Sequence, residues 1–260
     1  MPQNVIIIMT SINIVLILGS APDAERAAQW PKSANWQIVA INNAWQIRKD
    51  WDYVVFPEDF PGDRRPVKRL PEQRIIEADK FVPANNKFGG IVYAGGTMAF
   101  TAGYWVLASL KPDVLAYVGC DMIYSNAKTH FYGEGTADPL RTDVTLTSLE
   151  AKSARLMAIA AANGCVCVNL SEKPESRLVF PRASHLTLDA IRPLHRTYNE
   201  NLETVVQAEK SLGYFVEDGR YWDCSSKFNA DALAEIDKLW LAAVHDFDTH
   251  EPASKEVTLD

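Results

Sequence analysis

Short apolar runs alternate along the chain with longer stretches in which apolar residues return every three or four positions, the pattern of strands separated by helices. Five runs read as buried strands: Ile14 to Leu18, Gln37 to Ile41, Tyr53 to Phe56, Val114 to Val118 and Cys165 to Asn169. Such near-continuous apolar strands belong in a parallel sheet covered on both faces. Helix periodicity appears at Asp23 to Trp30, Thr97 to Leu110 and Leu146 to Asn163, the last two stopped by Lys111-Pro112 and by Gly164. Residues 57 to 71, rich in proline and charge, and residues 121 to 143 read as long surface loops. Beyond Pro193 the pattern turns helical, over Leu194 to Leu212 and Asn229 to His245, with an aromatic-rich link between them and a polar tail after Asp246. The expected molecule is α/β: a mostly parallel sheet with helices on both faces over residues 1–190, and a helical C-terminal extension or cap over 191–260.

Composition agrees with an ordinary globular chain, at 47% apolar and 23% charged residues in 260. With 33 acidic against 26 basic residues the net charge is −7, which leaves no electrostatic footprint for a nucleic-acid backbone. Any phosphate must therefore be held locally. Four cysteines, Cys120, Cys165, Cys167 and Cys224, contain no C-x-x-C pair and read as reduced thiols, which points to the cytoplasm. Cys165 and Cys167, two apart on a strand, should point into one face as small hydrophobes. The apolar stretch Val5 to Gly19 is too short to span a bilayer and no Lys or Arg precedes it, so it reads as a buried strand over Ile14 to Leu18 rather than a signal or anchor. Residues before Ile12 are an extra strand or a loose start, and peripheral attachment to a membrane stays open.

In open parallel sheets, ligands bind outside the carboxyl ends of the strands. Those ends are polar here. The first strand runs into Gly19, Ser20 and Ala21 ahead of Pro22-Asp23, where a tight turn opens a helix whose free N–H groups suit an anion. The second ends in Asn42 and Asn43, the third in Glu58 and Asp59, the fourth in Gly119-Cys120-Asp121. Before the Thr97 helix, the run Phe88 to Thr97 carries two glycine pairs; Gly95 and Gly96 would let backbone approach a phosphate while Thr97 caps the helix or bonds the ligand. The same residues also serve as glycine turns and helix caps. No Walker loop, G-x-G-x-x-G fingerprint or metal-ligand spacing occurs, so no metal ligands are assigned. In the second long loop, with Lys128, Thr129, Tyr132, Asp138, Arg141 and Asp143, His130 is placed to act as a base, its reference pKa lying near ~6.5. His185, His195, His245 and His250 have no comparable neighbourhood.

The ordered motifs ILGSAPD, AINNAW, VVFPED, AGGTMAFTAGYWVLASL, LAYVGCDMIY and THFYGEG, spanning Ile14 to Arg182, resemble the bacterial sialyltransferase family of the Campylobacter type (glycosyltransferase family 42) and the related motility accessory factor and DUF115-like proteins. The resemblance implies a Rossmann-like nucleotide-sugar-binding domain over residues 1–190, a CMP-linked donor across the strand ends and no required cofactor. It maps the family's glycine turn onto Gly19 to Asp23, its strand-two Asn onto Asn42, and its Thr-Ser-Gly turn onto Ala94-Gly95-Gly96 beside Thr97. The family's Gly-Ile-Asp-Phe-Tyr motif falls on Gly119 to Ile123, with Tyr124 displaced by one, and its catalytic base on His130. A Ser of the glycine turn is Asp23 here and a donor-contacting Ser is Gly95. On this reading the partners are a nucleotide-sugar donor and a hydroxyl acceptor; His130 deprotonates the acceptor and Tyr124 stabilises the departing phosphate. Two alternatives stand beside it. Archaeal DUF115-like proteins imply a pterin diphosphotransferase in which Asp59 and Asp121 hold Mg²⁺, and a third reading is a nucleotide-binding protein without catalysis. Tyr214, Phe215, Tyr221 and Trp222 serve equally to close the crevice or to pair subunits in a homo-oligomer.

Overall fold

In the computed structural model, residues 12–124, 129–133, 141–192 and 200–245 are described. Six parallel strands form one sheet in the order β4-β3-β2-β1-β5-β6: β1 (Ile14–Leu18), β2 (Trp36–Ile41), β3 (Tyr53–Val55), β4 (Arg74–Ile76), β5 (Val114–Val118) and β6 (Val166–Asn169). The chain builds outward from β1 to β4, then returns to the other edge of β1 with β5. The strand order therefore reverses between β1 and β5, and Leu18 pairs with Ala40 on one side and with Val118 on the other. The carboxyl ends of β2, β1 and β5 thus stand level at the switch point, where a parallel sheet opens a crevice.

Period-two alternation divides the strand residues between two cores. Val15, Ile17, Val39, Val55, Leu115, Tyr117 and Cys167 face one side, with the six α-helices found among the described residues. These are α1 (Ala78–Asn86), α2 (Ile91–Ala94), α3 (Met98–Ser109), α4 (Leu149–Ala162), α5 (Glu200–Leu212) and α6 (Ala230–His245). Ile14, Leu16, Leu18, Ile38, Ala40, Val114 and Val118 face the other side, covered by 3₁₀ turns that contribute Ala27, Ala44 and Leu188. Cys165 and Cys167 are both buried in the helical-side core as packing groups. Among the described residues, no helix is long and apolar enough to cross a membrane.

Several elements depart from the sequence expectation. Pro22–Gln29 is 3₁₀ rather than α-helical: Pro22 opens it, no side chain caps it, and it closes with Trp30 N–H bonding the Ala27 carbonyl. Helix α4 starts at Leu149, not Leu146, because the Ser148 hydroxyl accepts the Ala151 N–H as an N-cap. Strand β4 and helix α1 occupy a region with no expected element; β4 is three residues long and α1 contains Pro83, so neither shows the usual periodicity. Residues before Ile12, the expected helical start at 194–199, and Lys128, Asp138, His195 and His250 lie outside the described residues.

The C-terminal helices share the helical-side core, with Leu202, Val205, Leu233, Ile236 and Trp240 buried in it. Two buried cations of α4 find their partners there. The Lys152 ammonium lies 2.6 Å from Asp237 on α6. Arg155 forks onto Glu209 of α5 at 2.7 and 2.8 Å and donates to the Tyr104 hydroxyl, while the Trp240 indole N–H donates to Glu209.

Candidate functional site

At the switch point, residues from five separate segments line one small crevice of about 120 Å³: Gly19, Ser20 and Ala21 after β1, Asn42 after β2, Thr97 at the start of α3, Met122 and Tyr124 after β5, and His130 with Tyr132 beyond them. Among the described residues that line it there is no Asp, Glu, Lys or Arg. In a chain of net charge −7, that is a local neutral window able to receive an anion.

The β1 and β5 turns cross in direct backbone contact. Gly19 N–H donates to the Val118 carbonyl at 2.8 Å and Ala21 N–H to the Gly119 carbonyl at 3.0 Å. A Cβ on Gly19 would strike the Gly119 carbonyl and approach the Cys120 sulfur to 2.5 Å, and a Cβ on Gly119, whose φ is +71°, would meet the Ala24 methyl at 2.5 Å. These glycines permit a backbone crossing, which is a different role from the phosphate approach that a glycine turn suggests.

Strain concentrates at the same place. Among the described residues, three non-glycines adopt left-handed backbone, Asn42 (φ 51°), Lys111 (φ 48°) and Met122 (φ 55°), and two of them line the crevice. Such conformations cost about 1–3 kcal/mol each and persist where the surroundings impose them. The Asn42 amide oxygen is also buried with no hydrogen-bond partner, an acceptor waiting for a donor.

His130 is buried, at 7% exposure. Its backbone exchanges hydrogen bonds with Gly133, the next residue's N–H bonds the Ser20 carbonyl at 2.9 Å, and its Nδ1 lies 2.9 Å from the Thr129 hydroxyl. The ring stacks on Tyr132 with centroids 5.0 Å apart and tilts against Tyr124 at 6.1 Å. Desolvation pushes its pKa below the ordinary histidine value, so the imidazole is neutral at pH 7. In the tautomer with Nδ1–H donating to Thr129, the Nε2 lone pair is available as a base.

Other residues expected at this site lie elsewhere. Asn43 is buried beneath the turn. Gly95 packs against the Lys152 side chain. Gly96 is clamped from both sides, its N–H donating to the Thr145 hydroxyl at 3.0 Å and its carbonyl accepting from Arg141 at 2.8 Å, and a Cβ there would strike the Tyr221 hydroxyl. The glycine pair thus makes room for side chains rather than for phosphate. Asp121 turns toward β6, with Oδ1 3.4 Å from the Asn169 amide and 4.0 Å from Arg182. Glu58, Asp59 and Gly96 line a second, larger cavity of about 590 Å³ beside the crevice. The ends of β3 and β5 are three strand spacings apart, roughly 14 Å, and Asp59 lines that cavity while Asp121 is not among its lining residues. Among the described residues, no three His, Cys, Asp or Glu side chains are grouped to hold a metal.

Asp143 lines the second cavity. Burial opposes its ionisation, but hydrogen bonds from Tyr221 at 2.6 Å and from Thr145, with the Arg141 charge 2.8 Å away, hold its pKa below the ordinary carboxylate value. Burial and the bond to Asp143 push the Tyr221 hydroxyl up. Met122 and Ile123, which the sequence offered only as members of a motif and not as site residues, also line the crevice. Arg220 and Tyr221 reach the second cavity only through long-range folding. The chain matches no family model, no curated protein and no solved structure.

Proposed function

We propose that the crevice between β1 and β5 binds the phosphate and reacting end of a nucleotide-activated sugar, a CMP-linked donor being the first candidate, and that the protein transfers the sugar to an acceptor hydroxyl. The observation that carries this reading is the convergence of an uncharged, strained and hydrogen-bonding lining with a buried neutral imidazole at the strand-order reversal. The order of motifs, which resembles that of the sialyltransferase-like family, supports the same assignment. In the proposed step, Nε2 of His130 takes the acceptor proton while the acceptor oxygen bonds the anomeric carbon. The bond from that carbon to the phosphate oxygen breaks, and the Tyr124 hydroxyl stabilises the departing phosphate.

The step uses no divalent metal. CMP at a hundredfold excess over its Kd should therefore raise stability by about 2.7 kcal/mol, with or without Mg²⁺, which for a chain of this size is roughly 5–10 °C in Tm. His130→Ala should keep that shift and lose about 10²–10⁴-fold in turnover of a CMP-linked sugar. Stabilisation only by ATP with Mg²⁺ would replace this reading with diphosphate transfer.

A further inference from the structure

A second cavity, larger than the crevice, lies beside it. At about 590 Å³ it falls within the range of small-molecule sites, whereas the crevice alone is below it. The two are contiguous: Met98 lines both, and the consecutive residues Gly96 and Thr97 face one each. Their electrostatics differ, the crevice being lined by described residues without formal charge. Four carboxylates, Glu58, Asp59, Asp143 and Asp218, line the cavity against two guanidiniums. Arg141 is matched to Asp143 at 2.8 Å and Arg220 to Glu58 at 3.3 Å. The remaining excess is negative, so a second anion is disfavoured where hydroxyl donors are welcome, since ionised carboxylates only accept hydrogen bonds. Trp222 forms an apolar wall at 60% exposure, set edge-on to Tyr221 with ring centroids 5.4 Å apart. A broad aromatic face beside carboxylate acceptors fits a ring with an apolar face and a hydroxylated rim.

We infer that this cavity is the acceptor site and that it takes an uncharged sugar, its ring laid on Trp222 and its hydroxyls donating to Asp59 and Glu58. The inference rests on the transferase reading above for the word acceptor, but sugar binding in the cavity does not depend on it. One of the acceptor hydroxyls would pass the Gly96 to Met98 turn to reach His130.

The test is an equilibrium titration of the full chain by ligand-observed NMR, with cellobiose, maltose and N,N′-diacetylchitobiose as neutral probes and glucuronic and galacturonic acids as anionic ones, each with and without CMP. At least one neutral disaccharide should bind in the millimolar range, and the acids at least fivefold more weakly. Trp222→Ala, at an exposed position, should weaken the neutral sugar fivefold or more while leaving CMP stabilisation unchanged. Asp59→Asn should narrow the gap between neutral and anionic sugars. Absence of binding by every neutral sugar, a preference for the acids, or affinity unaltered in Trp222→Ala would overturn the assignment. Sugar binding without any nucleotide shift would instead leave this site standing and remove the donor reading.

Discussion

His130 is a base only while it is uncharged, and its burial under Tyr132 and Tyr124 keeps it so. Because the folded pKa is lowered below the unfolded value near ~6.5, the unfolded chain binds a proton that the folded chain resists. The histidine therefore costs no stability above about pH 6.5, and stability falls as pH drops below that value. The acid limb of a pH–rate profile should have its midpoint below about 6.5, and a midpoint at or above the free-histidine value would contradict the burial argument. Backbone crossing makes a second prediction. Gly119→Ala forces a methyl against Ala24 and a side chain into a φ of +71°, so denaturant unfolding should show a loss of about 1–3 kcal/mol or more. At this scale the sequence was legible where a signal is local: Gly19, Asn42 and Thr97 sit at strand or helix ends, and His130 lies in the long loop that follows β5. It misled at Gly95, Gly96 and Asp121, whose surroundings are set by Lys152, Tyr221 and Asn169, residues far along the chain.

Among the elements, α4 is the one whose sequence least resembles its role. Its Lys152 and Arg155 are of types almost always left at the surface, yet both are buried at 1% exposure or less and joined to α6 and α5. Removing one member of a buried pair leaves the other charge without compensation, at a cost of about 3–5 kcal/mol. Arg155→Met should therefore destabilise strongly in urea unfolding, and Glu209→Leu likewise. The double variant should recover part of the loss, because neither charge is then left alone. Strictly additive losses would mean that the pair is not coupled. Five of the six strands announced themselves as apolar runs, since a strand buried on both faces has little else to be. Strand β4 and helix α1 did not, because three residues beginning with an exposed Arg74 and a nine-residue helix with Pro83 inside it hold their shape through neighbours.

For the whole molecule, the question is what the C-terminal helices add to a sheet that already has its strands. Residues 200–245 supply the partners of both α4 cations, the buried Trp240, and the Asp218 to Trp222 wall of the larger cavity. A chain ending at residue 192 would leave Lys152 and Arg155 in an apolar face with no carboxylate opposite, and would uncover the surface that Leu202, Val205, Leu233 and Ile236 now cover. Each cost approaches the full stability of an ordinary domain, about 5–15 kcal/mol. The truncated chain should consequently lack a near-ultraviolet circular dichroism signal and a cooperative thermal transition, and should associate on size-exclusion chromatography. Restoring neutrality with Lys152→Met and Arg155→Met in the same truncation removes the charge term but not the exposed apolar face, so it should improve secondary structure without restoring a cooperative melt. Cooperative unfolding of the unaltered truncation would show that the sheet and its first four helices stand alone and that the C-terminal segment serves the site only.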